Sequence, residues 1–215
     1  EQAIINEAHA QGLVVPNRRN RDGEPTSAAG AYVATPKKGM HEWIGSIDLN
    51  SLYPSVIRAL NMAPETIIGQ LRPTITDHAI KTKLSAKKSF AEAWEGEFGS
   101  KEYQAVMNGE KGTEITIDWE TGGDDTLSAY DVWRLIFDSN NPWVLSANGT
   151  IFTHEKKGVV PGLLERWYAE RKVMQKTMRE AEGEQRAFWD KRQLVKKINL
   201  NSLYGAILNP GCRFF

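Results

Sequence analysis

The stretch IGSIDLNSLYPSVIRAL, residues 44–60, decides how the chain is read. An apolar run, WIGSIDL at 43–49, alternates well enough to predict a strand. It ends on a lone carboxylate, Asp48. The turn NSLYP follows, and then a short helix, SVIRALNM, closed by Ala63-Pro64. A carboxylate at the end of a strand, next to a turn with free N–H groups, suits a divalent metal carrying phosphates. Taken alone, Asp48 reads first as the cap of the helix that follows it.

Working outward, the 215 residues allow one large domain or two small ones, and 40% hydrophobic residues can bury a substantial core. No run approaches the length of a membrane span, and no basic, apolar, small-residue signal opens the chain. The first residue is Glu rather than Met, which suits a chain that begins inside a longer protein. A single cysteine, Cys212, excludes an intrachain disulfide framework and fits a reducing compartment. Net charge is zero but unevenly spread. Residues 155–215 hold 13 Lys and Arg against 7 Asp and Glu, a local +6, and residues 85–131 hold 4 against 11, a local −7. A protein that handles a polyanion need be basic only where it touches it. Two solvated faces of opposite sign would look the same.

Before the opening stretch, apolar periodicity runs over residues 4–12. The polar run NRRNRDGEPTSAAG then reads as a loop whose Arg18, Arg19 and Arg21 could meet phosphate. After it, residues 73–111 read as mainly helical, with Phe90, Trp94, Phe98, Tyr103 and Val106 as core candidates. EITIDW at 114–119 predicts a strand, ETGGDD a turn, and Ser128 with Asp131 the start of a helix. WVLSA and TIFTH predict a hairpin about Asn148-Gly149. Asn148-Gly149-Thr150 also spells a glycosylation acceptor, which the reading of an intracellular chain sets aside. From Gly158 two long helices follow, meeting near Gly183, and so short a connection requires them to lie antiparallel.

On the first long helix, Leu163, Leu164, Trp167, Met174 and Met178 recur at helical spacing, and Arg171 falls inside that stripe. A guanidinium facing inward needs an anionic partner or a wet cleft. On the second, Lys197, Asn201, Tyr204 and Leu208 share one face, so Lys197 and Asn201 could reach one ligand. Gly205 sits inside that helix at a cost of up to about 1 kcal/mol relative to Ala. An amphipathic hairpin with snorkelling Lys and Arg explains the same pattern without a ligand.

DLNSLYPS, from Asp48 to Ser55, resembles motif A of the family B DNA polymerases, and KINLNSLYGA, from Lys197 to Ala206, resembles their motif B. The text between them, WVLSANGTIFTHEKKGVVPGLLERWYAERK, is similar to the replicative polymerases of T-even-type tailed phages. The resemblance runs from about Val33 onward and is weaker over 70–140. It implies Asp48 as a ligand of two catalytic Mg²⁺ ions, with the Leu49 carbonyl on one of them. It implies a triphosphate cradle from the backbone of Ser51, Leu52 and Tyr53, with the Tyr53 ring excluding a 2′-OH. Arg171, Lys197 and Asn201 would grip the triphosphate, and Tyr204 and Gly205 would lie against the nascent base pair and template. A second lysine on the first long helix would be Lys172 or Lys176. The reaction implied is attack of a primer 3′-OH on the α-phosphate of a dNTP, with primer–template DNA as partner.

In the family a second aspartate comes from an Asp-Thr-Asp after motif B, and this chain contains no Asp-Thr-Asp. Gly123-Asp124-Asp125 looks like the Gly-Asp-Asp of RNA-dependent polymerases, but it lies between the two motifs, and such runs are usually plain turns. The expectation is therefore a fragment inactive alone, acting with the remaining palm, thumb and exonuclease segments in cis or on a separate chain. A nucleotide- or DNA-binding module, and a domain with vestigial motifs, are the competing readings. The expected fold is α+β: a partial palm of antiparallel strands with helices, and a two-helix fingers hairpin. Its expected parts are a linker over 1–40, palm with an inserted region over 41–157, fingers over 158–209 and a return to the palm over 210–215. Uncovered sheet edges would favour a homo-oligomer or an avid partner. The expected location is the cytoplasm of a bacterial host, with no membrane contact.

Overall fold

Short strands and turn glycines fill the middle of the chain, and long amphipathic helices fill its last third. The computed structural model describes residues 1–17, 35–86, 90–94, 96–207, 209 and 212–213. The Arg18–Arg19–Arg21 loop, the side chain of Phe90, and Leu208 lie outside what is described. The chain divides into two compact units: Glu1–Arg58 together with Val159–Phe215, and Ala59–Gly158. The expected α+β architecture is the one observed.

In the first unit, α1 (Gln2–Ala10) packs on α7 (Val159–Glu180), and α7 packs along α8 (Gly183–Ile207). Ile4, Ala8, Leu163, Leu164, Leu200 and Leu203 form the shared core. Glu7 on α1 accepts from Arg166 on α7 at 2.7 Å, and the Arg166 hydrogen bond, then that of Gln11, holds the Glu7 carboxyl below the usual range. Pro161 lies in the first turn of α7, where its missing N–H costs nothing. Only Ala181 and Glu182 separate the long helices, and Gly183 takes φ +54° to turn the chain. The helix within the opening stretch, α2, spans Leu52–Ala59, starting earlier than the expected SVIRALNM.

The predicted strand at 43–49 does not form. Its apolar side chains are instead uncovered: Trp43 is 100% exposed and Ile47 94%. Alternation makes a segment fit to be a strand, but a strand also needs a neighbour to take its backbone hydrogen bonds. Among the described residues, every strand lies in the other unit.

That unit is a five-stranded antiparallel sheet in the order β3-β2-β1-β5-β4. Its strands are β1 (Ile67–Leu71), β2 (Glu114–Trp119), β3 (Asp124–Ser128), β4 (Trp143–Leu145) and β5 (Thr150–Thr153). Leu71, Ile115, Ile117 and Ile151 meet Val106 and Val132 in the core beneath it. Val106 comes from α5 (Lys101–Met107) and Val132 from α6 (Ala129–Phe137). The expected cap of α6 is present: Ser128 Oγ accepts from the Asp131 N–H at 3.1 Å and donates to the Asp131 carboxylate at 2.6 Å. The hairpin turns about Asn148-Gly149 as expected, with Gly149 at φ +90°.

Two expectations need correction here. Residues 73–111 are helical only in pieces: α3 (Thr74–Ser85), α4 (Phe90–Ala93) and α5. Gly96 and Gly99, both at φ +77°, break the path between the last two. Phe98 sits in that break and is 73% exposed, so it is not a core residue, although its ring meets Tyr103 edge-on at 6.1 Å. The predicted turn ETGGDD stops at Gly123, and Asp124 and Asp125 already belong to β3.

Candidate functional site

The two motifs meet ring to ring. Tyr53 in the first turn of α2 stacks on Tyr204 near the end of α8, with centroids 4.0 Å apart and planes 12° from parallel. Burial first, and then contact with the Tyr53 hydroxyl, push the Tyr204 phenol above its ordinary value. It is therefore a neutral, rigid surface at any physiological pH.

Ser51, just before α2, takes φ +52°, a conformation that turns the chain sharply into the helix. The first intrahelical bond there runs from the Ser55 N–H to the Ser51 carbonyl at 2.9 Å. Leu52 and Tyr53 thus sit where helix N–H groups have no partner within the helix. Pro54 has no N–H to leave open. Asp48 is exposed, with no hydrogen bond among the described residues, so it does not cap α2.

On α8, Lys197 and Asn201 lie one turn apart and are both exposed. Gly205 follows Tyr204, and a Cβ built on it meets nothing within 4 Å. Arg171 on α7 is half-buried, and its Nε donates to Gln193 Oε1 on α8 at 3.3 Å. The inward guanidinium thus has a neutral partner here, where an anionic partner or a wet cleft was expected, and Gln193 in turn donates to Asp190 at 2.9 Å. Lys172 stands 5.3 Å from the Tyr168 ring centroid, and Lys176 lies 4.0 Å from Glu180. Neighbouring Lys196 pairs with Glu170 and lies over Trp167 at 5.6 Å.

Among the described residues, no three His, Cys, Asp or Glu side chains come together. Asp48 with the Leu49 carbonyl is one carboxylate and one carbonyl on an exposed segment. That donor set does not by itself fit two divalent ions, whose charge calls for more than one carboxylate. The Gly-Asp-Asp run has other occupations. Arg72 bridges Asp118 at 2.5 Å and Asp124 at 2.6 Å, while Asp125 accepts from Trp119 Nε1 at 2.7 Å. Adjacent strand residues point to opposite faces, so Asp124 and Asp125 do not converge on one ligand.

Sequence reasoning missed Arg58, Tyr168 and Gln193. Each matters through a contact between helices, and no local pattern reports such a contact.

A family model described as DNA polymerase family B matches residues 1–209. The DNA-directed DNA polymerase of Escherichia phage RB69 is 39% identical over 69 residues, which is 32% of this chain and 7% of that protein. That of Enterobacteria phage T4 is 41% identical over 69 residues, 32% of this chain and 8% of that protein. The DNA polymerase of Orf virus is 26% identical over 178 residues, 82% of this chain and 14% of that protein. The chain thus spans under a tenth of the two phage relatives. No described helix is long and apolar enough to cross a membrane.

Proposed function

The chain belongs to the family B DNA polymerases, and from that premise we propose that it receives the incoming deoxynucleoside triphosphate and tests its sugar. The observation that carries this is the Tyr53–Tyr204 stack, which joins two segments far apart in sequence. Tyr53 presents a flat ring on a short helix whose first N–H groups are free of intrahelical partners. Such N–H groups suit phosphate oxygens. A ring packed against a second ring has nowhere to retreat, so an added 2′-OH meets a hard surface. Exclusion by contact discriminates where attraction would not.

In this reading α7 and α8 are the fingers. Lys197 and Asn201, exposed and one turn apart, take the triphosphate from the side opposite α2, and Arg171 joins them by exchanging Gln193 for a phosphate oxygen. Tyr204 and Gly205 face the nascent base pair, where the open space at Gly205 admits a base or backbone. Asp48 supplies one carboxylate toward the metal site of the whole enzyme. Primer–template DNA and dNTPs are the substrates of the assembly that contains this chain, whether its other segments act in cis or as a separate chain. The phage relatives support a phage-encoded replication enzyme working in the cytoplasm of a bacterial host.

The test is Tyr53→Ala in the polymerase containing this chain, with kcat/KM measured for matched dNTP and rNTP pairs. Discrimination should fall on the order of a hundredfold, the scale set by excluding one hydroxyl. An unchanged ratio would sink the assignment.

A further inference from the structure

Tyr53 can exclude a hydroxyl only if the helix beneath it is fixed. Little of α2 is buried: Pro54 is, whereas Leu52 and Tyr53 are 45% exposed and Val56 40%. Near its end, two contacts among the described residues hold it. Ile57 packs against the core of α1, α7 and α8. Arg58 lays its guanidinium over the Tyr168 ring on α7, with Cζ 4.5 Å from the centroid. The Arg58 Nε is buried and has no hydrogen-bond partner among the described residues. A donor withheld from water and left unpaired costs free energy, so the position persists only if another contact offsets that cost. The face of the Tyr168 ring supplies it, by cation–π attraction. Tyr168 lies one turn before Arg171 and Lys172, on the helix read as the first finger.

We propose that Arg58 is a positioning residue for the Tyr53 sugar contact: seated on Tyr168, it fixes α2 against α7 and so sets where the Tyr53 ring stands against Tyr204. The proposal rests on reading Tyr53 as the sugar contact. Arg58 touches neither nucleotide nor reacting atoms; it acts through the helix. Without the seat, α2 tilts about Ile57, and the exposed Tyr53 ring moves more than the buried end of the helix. Ribonucleotides then gain more than deoxyribonucleotides lose.

The experiment uses the full polymerase carrying Arg58→Leu, Arg58→Lys, Tyr168→Leu or Tyr168→Phe, with Tyr53→Ala alongside. For each, kcat and KM are measured separately with a dNTP and its matched rNTP. Arg58→Leu and Tyr168→Leu should each lower discrimination about fivefold, equivalent to about 1 kcal/mol. The double Leu variant should be no worse than Tyr168→Leu alone, which already removes the Arg58 contact together with that of Lys172, 5.3 Å from the same ring. Tyr168→Phe keeps the ring face and should stay within about twofold of the parent. Arg58→Lys keeps the charge but replaces the weakly hydrated guanidinium with a compact, strongly hydrated ammonium, so its discrimination should drop by at least about twofold.

The proposal is overturned if Arg58→Lys matches the parent, or if dNTP and rNTP efficiencies fall together as a purely structural role requires. It is also overturned if Tyr168→Phe is as impaired as Tyr168→Leu. Tyr53→Ala separates the two layers. If it lowers discrimination while the Arg58 variants do not, only the positioning role fails. If Tyr53→Ala itself leaves discrimination unchanged, the sugar reading fails and takes the positioning role with it.

Discussion

Replacing Asn61 by Ala should cost about 4 kcal/mol, although no ligand or motif marks this residue. Asn61 is 1% exposed. Its Nδ2 donates to the carbonyls of Thr153 at 2.8 Å and Lys156 at 2.7 Å, and its Oδ1 accepts from the Gly158 N–H at 3.0 Å. It thereby joins the two ends of the unit Ala59–Gly158. Ala removes all three bonds and leaves two carbonyls and one N–H without partners, at about 1 kcal/mol each taken at the low end. The backbone adds to this. Asn61 sits at φ +54°, where Asn is tolerated and a plain Cβ costs a further ~1 kcal/mol. Asn61→Gly should therefore cost about 3 kcal/mol, since it relieves the backbone but not the orphaned groups. Asn61→Asp turns a donor into an acceptor facing two carbonyl oxygens, and should cost at least as much as Ala at neutral pH. It should recover partly in acid, where a protonated carboxyl can donate again. Urea unfolding followed by circular dichroism, with m-values compared across the series, measures each difference. A loss below about 1 kcal/mol for Asn61→Ala would refute the reasoning, as would Gly and Ala costing the same.

Two further predictions concern buried or clustered carboxylates. Glu102, 2% exposed, accepts from the N–H groups of Ile75 at 2.6 Å and Thr76 at 3.1 Å and from the Thr76 hydroxyl, closing the first turn of α3. Glu102→Ala should cost about 3 kcal/mol and speed amide exchange at Ile75 and Thr76 before the rest of the chain; uniform exchange across α3 would count against it. Hydrogen bonds from Lys101, then Lys83 and Gln104, bring the Glu97 carboxyl down to about 2. A carboxyl with a depressed folded value stabilises above its unfolded value and loses that contribution as pH falls toward 2. Parent and Glu97→Gln should therefore differ in urea midpoint at pH 7 and converge between about pH 5 and 2; a gap that persists at the acid end would contradict this.

What could be read from the sequence was whatever is decided within a few residues. Asn148-Gly149 announces its hairpin because the turn needs positive φ there, and Gly149 at φ +90° meets that need. α7 and α8 are legible because apolar residues recur at helical spacing up to a break at Gly183. β3 was missed because DDTLS has no apolar alternation. It pairs with β2 along its whole length, and the facing carboxylates of Asp118 and Asp124 are reconciled by Arg72, which comes from beyond the end of β1. The segment at 43–49 fails the other way: its pattern is right, yet pairing is a property of two segments, and one sequence window contains only one. The site divides along the same line. Tyr53 and Tyr204 each sit in a recognisable motif, but that their rings stack at 4.0 Å depends on how α2 lies against α8. That placement involves Arg58 on Tyr168 and Ile57 in the helical core, contacts between residues far apart in sequence. The residues proposed to carry chemistry were thus visible because chemistry restricts which side chains can serve. The residues proposed to aim them were not, because any side chain that fills the right gap between two helices can aim a third. Substitutions at Arg58 and Tyr168 should accordingly be read out as a change in selectivity, where substitutions at Lys197 or Asn201 should appear as lost nucleotide affinity.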